Sequence, residues 1–124
     1  DVIYGNLGAD LLRGNADGDS LFGGQGADTL SGGDGADYIA GNLGNDLMIG
    51  GSAGDTFALY AGSGADTISD FSLAEGDRMA ISSSVSYSTA DGAAGAVVTF
   101  STGATVTLTG ISASAITSDW FSIG

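Results

Sequence analysis

Aspartate is the residue whose spacing in this chain indicates chemistry. It recurs every nine residues over the first half of the sequence, at Asp1, Asp10, Asp19, Asp28, Asp37, Asp46 and Asp55. Neither the helical nor the strand period holds a residue in register at nine, so the unit is a sequence repeat. Carboxylate oxygens are hard ligands. A regular row of them therefore predicts a row of cation sites.

The positions around each aspartate follow the same period. A glycine stands five places before each aspartate from Asp10 onward, and an apolar residue stands two places after each one. The apolar set is Ile3, Leu12, Leu21, Leu30, Ile39, Met48 and Phe57. The nine places thus read Gly, Gly or Asn, any, Gly, any, Asp, any, apolar, any. Gly and Asn tolerate positive φ, so the first six places predict a turn, and the last three predict a short strand.

Two repeats make one coil of turn, strand, turn and strand. Stacked coils would bury the apolar places between two parallel sheets. Beyond the strict repeats, 61–69 is predicted to be one more degenerate copy, with Asp66 and Ile68. Ala96–Ser101 and Ala104–Thr109 predict a hairpin around Thr102 and Gly103. Trp120, Phe121 and Ile123 are predicted to cover the open end of the stack, because stacked coils need a cap.

The charge balance narrows the class of partner. The chain has 15 acidic and 2 basic residues, a formal charge of −13. This balance argues against nucleic acid and anionic membrane surfaces, which need Lys and Arg. The absence of Cys and His makes transition-metal sites unfavourable and leaves hard oxygen ligands. No run of residues resembles a cleaved signal or a membrane span, and no membrane insertion is expected.

The same composition argues against catalysis in this chain. Without His, Cys or Lys there is no Ser-His or Cys-His triad and no Schiff-base lysine. Regularly repeated carboxylates suit ligands better than a single acid and base pair. Asp70, Glu75, Asp77 and Arg78 could make a local site, but a solvated loop or an extra cation ligand is the preferred interpretation. Val2 to Tyr4, with Asp1, fit the last four places of a repeat, so we expect a fragment of a longer protein, non-catalytic itself, whose parent could be an enzyme.

The nonapeptide resembles the calcium-binding repeat of the RTX (repeats-in-toxin) family, with copies starting at Gly5, Gly14, Gly23, Gly32, Gly41 and Gly50. The resemblance implies an all-β fold: a parallel β-roll (β-solenoid) of nonapeptide repeats at 1–69, followed by a C-terminal β-rich capping and secretion segment at 70–124. In that family calcium lies between adjacent turns on each edge of the roll. Its ligands there are sixth-place aspartates and backbone carbonyls.

Carried over to this sequence, the resemblance implies several Ca²⁺ ions, about four to six at one per pair of stacked turns. Aspartates that share an edge are eighteen residues apart. The implied carboxylate ligands are Asp1, Asp10, Asp19, Asp28, Asp37, Asp46, Asp55 and Asp66. The implied turn backbone is at Gly5, Gly8, Gly14, Gly23, Gly26, Gly32, Gly35, Gly41, Gly44 and Gly50. Asp17 and Ala53 replace the fourth-place glycine, and Ala is the less suited to a left-handed backbone.

Stacked carboxylates oppose folding until a cation separates them. Coils repeat at about 4.8 Å, and two charges at that distance repel by about 0.9 kcal/mol in bulk water and by about 3.5 kcal/mol at an effective dielectric constant of about 20. We therefore expect a roll that is largely unfolded without calcium and folds at millimolar calcium. Magnesium should substitute poorly, because it keeps its waters.

The resemblance also implies a biological role. RTX domains sit near the C-terminus of proteins that Gram-negative bacteria export by type I secretion, and they fold outside the cell. This predicts a secreted or cell-surface module whose partners are calcium, an N-terminal domain of the parent protein and the type I secretion machinery. Residues 119–124 look similar to the signal of such cargo, although a last cap strand explains them equally well. The alternative is an extracellular surface-layer, adhesion or glycan-binding module, such as a calcium-binding module of an alginate epimerase.

Overall fold

The computed structural model describes residues 1–59 and 64–123. Within them the strands of the repeat region are β1 (Val2–Tyr4), β2 (Leu11–Asn15), β3 (Ser20–Gln25), β4 (Thr29–Asp34), β5 (Tyr38–Leu43), β6 (Leu47–Ser52), β7 (Thr56–Ala58) and β8 (Ala65–Ile68). Those that follow are β9 (Arg78–Ile81), β10 (Tyr87–Asp91), β11 (Gly95–Phe100), β12 (Thr105–Thr109) and β13 (Phe121–Ile123). Short 3₁₀ turns span Leu73–Glu75, Ala113–Ala115 and Ser118–Trp120. No helix in the described ranges is long and apolar enough to cross a membrane.

Consecutive strands of the repeat region alternate between two sheets. Sheet A has the order β1-β3-β5-β7-β9-β13, and sheet B the order β10-β11-β12-β8-β6-β4-β2. Within the repeats every pairing is parallel, and each residue lies beside the residue eighteen places later, as Leu21 does with Ile39. Eighteen residues is two repeats, so one coil contributes one strand to each sheet. The predicted parallel β-roll is confirmed.

The eighth places of the repeats form the core between the sheets. Leu21, Leu30, Ile39, Met48 and Phe57 are fully buried. Leu12 is buried as well, whereas Ile3 is only partly buried and packs against the cluster. The period-nine apolar set is therefore the core that the sequence predicts.

The strands are longer than the repeat pattern predicts. β3 runs from Ser20 to Gln25 and so includes the last three places of one repeat and the first three of the next. Along it Leu21 and Gly23 are both buried, because alternate residues of a strand face the same side. The first-place glycine is consequently an inward-facing strand residue rather than part of a six-residue turn.

The segment after the repeats extends both sheets. The predicted hairpin is confirmed, since β11 and β12 pair antiparallel. β12 also pairs in parallel with β8, and β9 and β13 add parallel strands to sheet A. The chain thus keeps its coiled pairing beyond the strict repeats, because Asp77 and Met79 preserve the spacing of aspartate and apolar residue. The proposed division into 1–69 and 70–124 stays a prediction.

The three large apolar residues near the end of the chain differ in burial. Trp120 and Phe121 are buried, and the Trp120 ring stacks on Phe71 with 5.0 Å between centroids. Ile123 is 61% exposed, so its predicted part in covering the roll is wrong. The strand β13 reaches the edge of sheet A at that point, with no further strand beside it in the described ranges. Residues 61–63 of the degenerate copy, and residue 124, lie outside the described ranges.

Candidate metal centre

The repeat aspartates form two ladders of hydrogen bonds. After the first aspartate of each ladder, one carboxylate oxygen, Oδ1, of every aspartate accepts a hydrogen bond from the backbone nitrogen of the aspartate one coil earlier. The bond from Asp19 to Asp37 is 2.8 Å long, and so is the bond from Asp28 to Asp46. Edge 1 comprises Asp10, Asp28, Asp46 and Asp66, and edge 2 comprises Asp1, Asp19, Asp37, Asp55 and Asp77.

The second carboxylate oxygen, Oδ2, has no partner along most of each ladder. The unpartnered buried atoms are Oδ2 of Asp10, Asp19, Asp28, Asp37, Asp46 and Asp55. A buried polar atom without a hydrogen bond is costly, and a buried charge more so. These oxygens therefore require a cation or a proton.

Backbone oxygens and glycines surround the unpartnered oxygens. A Cβ added to Gly23 would lie 2.6 Å from Asp28 Oδ2 and 2.8 Å from the carbonyl oxygen of Gly41, in the next coil. A Cβ on Gly5 would similarly lie 2.7 Å from Asp10 Oδ2 and 2.6 Å from the Gly23 carbonyl oxygen. The first-place glycine thus leaves open the space in which a carboxylate and a carbonyl converge. Any side chain there would fill it.

The turns carry left-handed residues at the two places that the sequence predicts. The second place has positive φ at Asn6, Asn15, Gly24, Gly33, Asn42 and Gly51. The fourth place has positive φ at Gly8, Asp17, Gly26, Gly35, Gly44, Ala53 and Gly64. Asp17 at φ 70° and Ala53 at φ 76° keep this geometry, so neither substitution changes the turn.

Burial raises the pKa of several ladder carboxyls. It raises the pKa of Asp55 and Asp66 to about 7, against the ordinary 3.8, and neighbouring aspartates push in the same direction. Burial is also the main cause of the raised pKa of Asp37, Asp46 and Asp77. Hydrogen bonds from backbone nitrogens lower each of these pKa values, but their effect is smaller than that of burial. The site therefore holds carboxylates in an environment that disfavours their charge.

The protein supplies no basic side chain to neutralise the ladders. In the described ranges no arginine forms an ion pair with a carboxylate. Arg78 donates to the backbone oxygen of Asp77, and Arg13 is exposed on sheet B. No group of three or more acidic side chains in the described ranges could by itself hold a metal ion. A cation on the ladders must consequently use backbone carbonyls together with carboxylates.

Two aspartates outside the strict repeats complete the edges. Asp77 is fully buried; its Oδ1 accepts from the Asp55 nitrogen and its Oδ2 from the Ser72 nitrogen, each at 2.8 Å. Asp70 accepts from the backbone nitrogens of Gly50 at 2.9 Å and Gly51 at 2.8 Å. Asp77 is therefore a ladder residue and not part of a solvated loop, whereas Glu75 is exposed. The sequence feature that could have identified Asp77 as a ladder residue is Met79, because an apolar residue stands two places after each repeat aspartate.

The predicted ligands do not all share one environment. Asp1 is exposed, Asp10 is half-buried, and the later ladder aspartates are buried. Asp66 ends edge 1, and its Oδ1 accepts a hydrogen bond of 2.9 Å from the Asp46 nitrogen. The two residues are twenty apart instead of eighteen, because two residues are inserted between them. The ladder brings all eight together along two edges. Their role as ligands stays a prediction.

Comparison with known proteins agrees with this geometry. Residues 1–30 and 22–57 match the RTX calcium-binding nonapeptide repeat (4 copies). Residues 1–57 thus carry the RTX calcium-binding nonapeptide repeat. The match covers the ladder aspartates from Asp1 to Asp55 and the glycine-lined spaces beside them. No curated protein matches this chain at a significant level.

A solved structure has a fold similar to that of this chain. It is the R3 subunit of the mannuronan C5-epimerase AlgE6 from Azotobacter vinelandii, determined in solution. The TM-score is 0.73 at 24% sequence identity, over 95% of this chain and 79% of that one. At this identity the likeness shows the fold alone.

The residues present fit calcium. Ca²⁺ accepts six to eight oxygen ligands in flexible geometry, including carboxylates and backbone carbonyls. The unpartnered Oδ2 atoms and the first-place carbonyls, such as Asp28 Oδ2 and the Gly41 oxygen, supply both types. A bound cation would neutralise the ladder charge that burial otherwise disfavours.

Proposed function

We propose that this chain is a module that folds when it binds calcium outside the cell, and that it supports the stability and type I secretion of a larger protein. The observation that carries the proposal is the row of six buried carboxylate oxygens without a partner. Because the chain offers them no basic side chain, the coiled state depends on a cation from solution.

The dependence on calcium would couple folding to location. The cytosol keeps free calcium low, so a chain of this kind stays unfolded there and remains suitable for export. Millimolar calcium outside then shifts the equilibrium to the roll, because ligand that binds only the folded state stabilises it. The proposed location is the outside or the surface of a Gram-negative bacterium. The proposed partners are calcium, an N-terminal domain of the parent and the secretion machinery.

The module is proposed to be non-catalytic. In the repeats, a carboxylate such as that of Asp28 accepts a backbone hydrogen bond on one oxygen, and the other oxygen lies with a backbone carbonyl beside the first-place glycine, which is a ligand arrangement. Catalysis in the parent protein would lie elsewhere in that protein.

A second candidate is an extracellular glycan-binding or adhesion module. The fold similarity to the R3 subunit of a mannuronan C5-epimerase favours it. A polyanionic glycan would be repelled by the charge of −13, so binding would proceed through calcium bridges. Pull-down on alginate with and without calcium separates the candidates: retention only with calcium supports a glycan role, and no retention leaves the folding role.

The folding role is tested by counting the bound calcium ions and by measuring how far calcium protects the chain from proteolysis. We expect native mass spectrometry to show several bound Ca²⁺ ions, and calcium to protect residues 1–59 from proteolysis. A chain that resists protease equally in calcium and in chelator would refute the proposal.

A further inference from the structure

The last complete coil on edge 2 ends in an arrangement that the repeat does not contain. Asp55 is 1% exposed and its Oδ2 has no partner. That oxygen lies against Gly50, since a Cβ added there would collide with it. The Gly50 nitrogen donates to Asp70 Oδ1. Two carboxylates from different parts of the chain thus meet at one glycine.

We propose that Asp55 and Asp70 together hold a further calcium ion at the end of edge 2, outside the repeat pattern. The inference rests on the proposed calcium-binding function, and it assigns a ligand role to a residue that is not at a sixth place.

The earlier coils show what Asp70 replaces. Asp37 Oδ2 and the carbonyl oxygen of Gly50, one coil later, both lie against Gly32. In the following coil Leu47 pairs with Thr67 and Met48 with Ile68, and this register continues to Asp70 beside Gly50. The Asp70 carboxylate accepts hydrogen bonds from the nitrogens of Gly50 and Gly51 there.

Asp77 is unsuited to act as the second carboxylate ligand beside Asp55. Both of its oxygens accept backbone hydrogen bonds, from Asp55 and Ser72. Asp70 also accepts two, but Asp77 is fully buried, whereas the Asp70 carboxylate is only half-buried and its remaining lone pairs are accessible to an ion. It is the remaining anionic group beside Gly50 in the described residues.

The local charge favours a cation at this position. The charges of Asp70 and Asp77 act on Asp55, and those of Asp70 and Glu75 act on Asp77. The Arg78 side chain donates its hydrogen bond to the Asp77 backbone oxygen. No described carboxylate at this end of edge 2 forms an ion pair. The buried, unpartnered Asp55 oxygen is the group that a cation would satisfy.

The test compares bound calcium in the wild-type chain, Asp70→Asn and Asp91→Asn by native mass spectrometry, with circular dichroism at saturating calcium as a check of folding. Asp91 is a matched control, because it too accepts a backbone hydrogen bond after the repeats, from Ala113 at 2.8 Å. We expect D70N to bind one ion fewer and D91N to match the wild type. An equal count in D70N, or the same loss in D91N, would overturn the inference.

The experiment also distinguishes failure of the proposed function from failure of the variant to fold. A wild-type chain that binds no calcium refutes the proposed function itself. If D70N does not fold at saturating calcium, a crystal structure of the calcium-loaded wild type decides. An ion that contacts both Asp55 and Asp70 supports the site, and ions along edge 2 without contact to Asp70 overturn it.

Discussion

Asp77 Oδ1 accepts a hydrogen bond from the backbone nitrogen of Asp55, twenty-two residues earlier, at 2.8 Å. The bond has the geometry of the repeat ladder although four residues are inserted between the two aspartates. The non-repeat segment therefore continues edge 2 by one step. Because the Ser72 nitrogen occupies the other oxygen, this step closes the ladder without a metal.

Replacing Asp77 with Ala should destabilise the calcium-loaded fold. The change leaves the buried nitrogens of Asp55 and Ser72 without acceptors, and each such donor costs about 1–3 kcal/mol. We expect the free energy of unfolding to fall by about 2–6 kcal/mol, measured by urea denaturation at saturating calcium. Asp119→Ala, at an exposed position, is the control and should change stability little. Equal stability of D77A and the wild type would contradict the closing role.

Replacing Asp37 with Asn should weaken calcium binding more than it weakens the ladder. The amide keeps an oxygen for the Asp19 nitrogen but removes the charge and turns the second position into a donor. We expect the calcium midpoint to rise about tenfold, equal to about 1.4 kcal/mol. Asp34→Asn, exposed in the same turn, should leave the midpoint unchanged. The midpoint is followed by isothermal titration calorimetry, and matching midpoints for the two variants would exclude Asp37 as a ligand.

Replacing Gly32 with Ala should fill a proposed calcium position. The added Cβ would collide with Asp37 Oδ2 and lie 2.7 Å from the Gly50 carbonyl oxygen. We expect loss of at least one ion from the mass-spectrometric count and destabilisation by about 1–3 kcal/mol, typical of overpacking.

The control for this substitution is Gly103→Ala in the hairpin turn. A Cβ there meets no atom within 4 Å, although φ is +94°. It therefore carries only backbone strain, about 1–2 kcal/mol. An unchanged ion count in G32A would show that the glycine-lined space is not where calcium binds.

Acid should stabilise the calcium-free fold. The pKa of Asp55 and Asp66 is about 7 in the fold and 3.8 ordinarily, so between these values the folded state binds more protons than the unfolded state. Its stability then falls as pH rises from about 4 to about 7. Far-UV circular dichroism of calcium-stripped protein should show most β-signal near pH 4–5 and loss towards pH 7.

Calcium should reverse this pH dependence. Calcium needs ionised carboxylates, so binding releases protons and calcium affinity rises with pH up to about 7. Calorimetry in buffers of different ionisation enthalpy measures the protons released. A calcium-free chain that gains β-signal between pH 5 and pH 7 would contradict the pKa shifts.

The sequence predicts the parts of the structure that follow its period. Nine-residue spacing suffices for the two sheets, the core from Leu21 to Phe57 and the left-handed turn places, because a stacked coil repeats every interaction. The same argument places Asp19, Asp37 and Asp55 on one edge.

What departs from the period could not be placed from spacing alone. Insertions shift Asp66 by two residues and Asp77 by four, and strand pairing rather than sequence separation puts them on the ladders. The Asp70 carboxylate accepts hydrogen bonds from the nitrogens of Gly50 and Gly51, about twenty residues earlier. No local sequence pattern predicts such a contact between separate segments. The exposure of Ile123 likewise depends on which strand ends sheet A.

The central claim is that calcium folds this chain. The measurement that tests it most directly is a calcium titration at pH 7, which follows far-UV circular dichroism and the fluorescence of Trp120, with magnesium as the control. Trp120 stacks on Phe71, which lies against the core residue Phe57, so its emission reports closure of the roll. A cooperative transition of both signals at millimolar calcium, absent with magnesium, is the predicted result. Full β-signal and a buried-tryptophan spectrum in excess chelator would contradict the account.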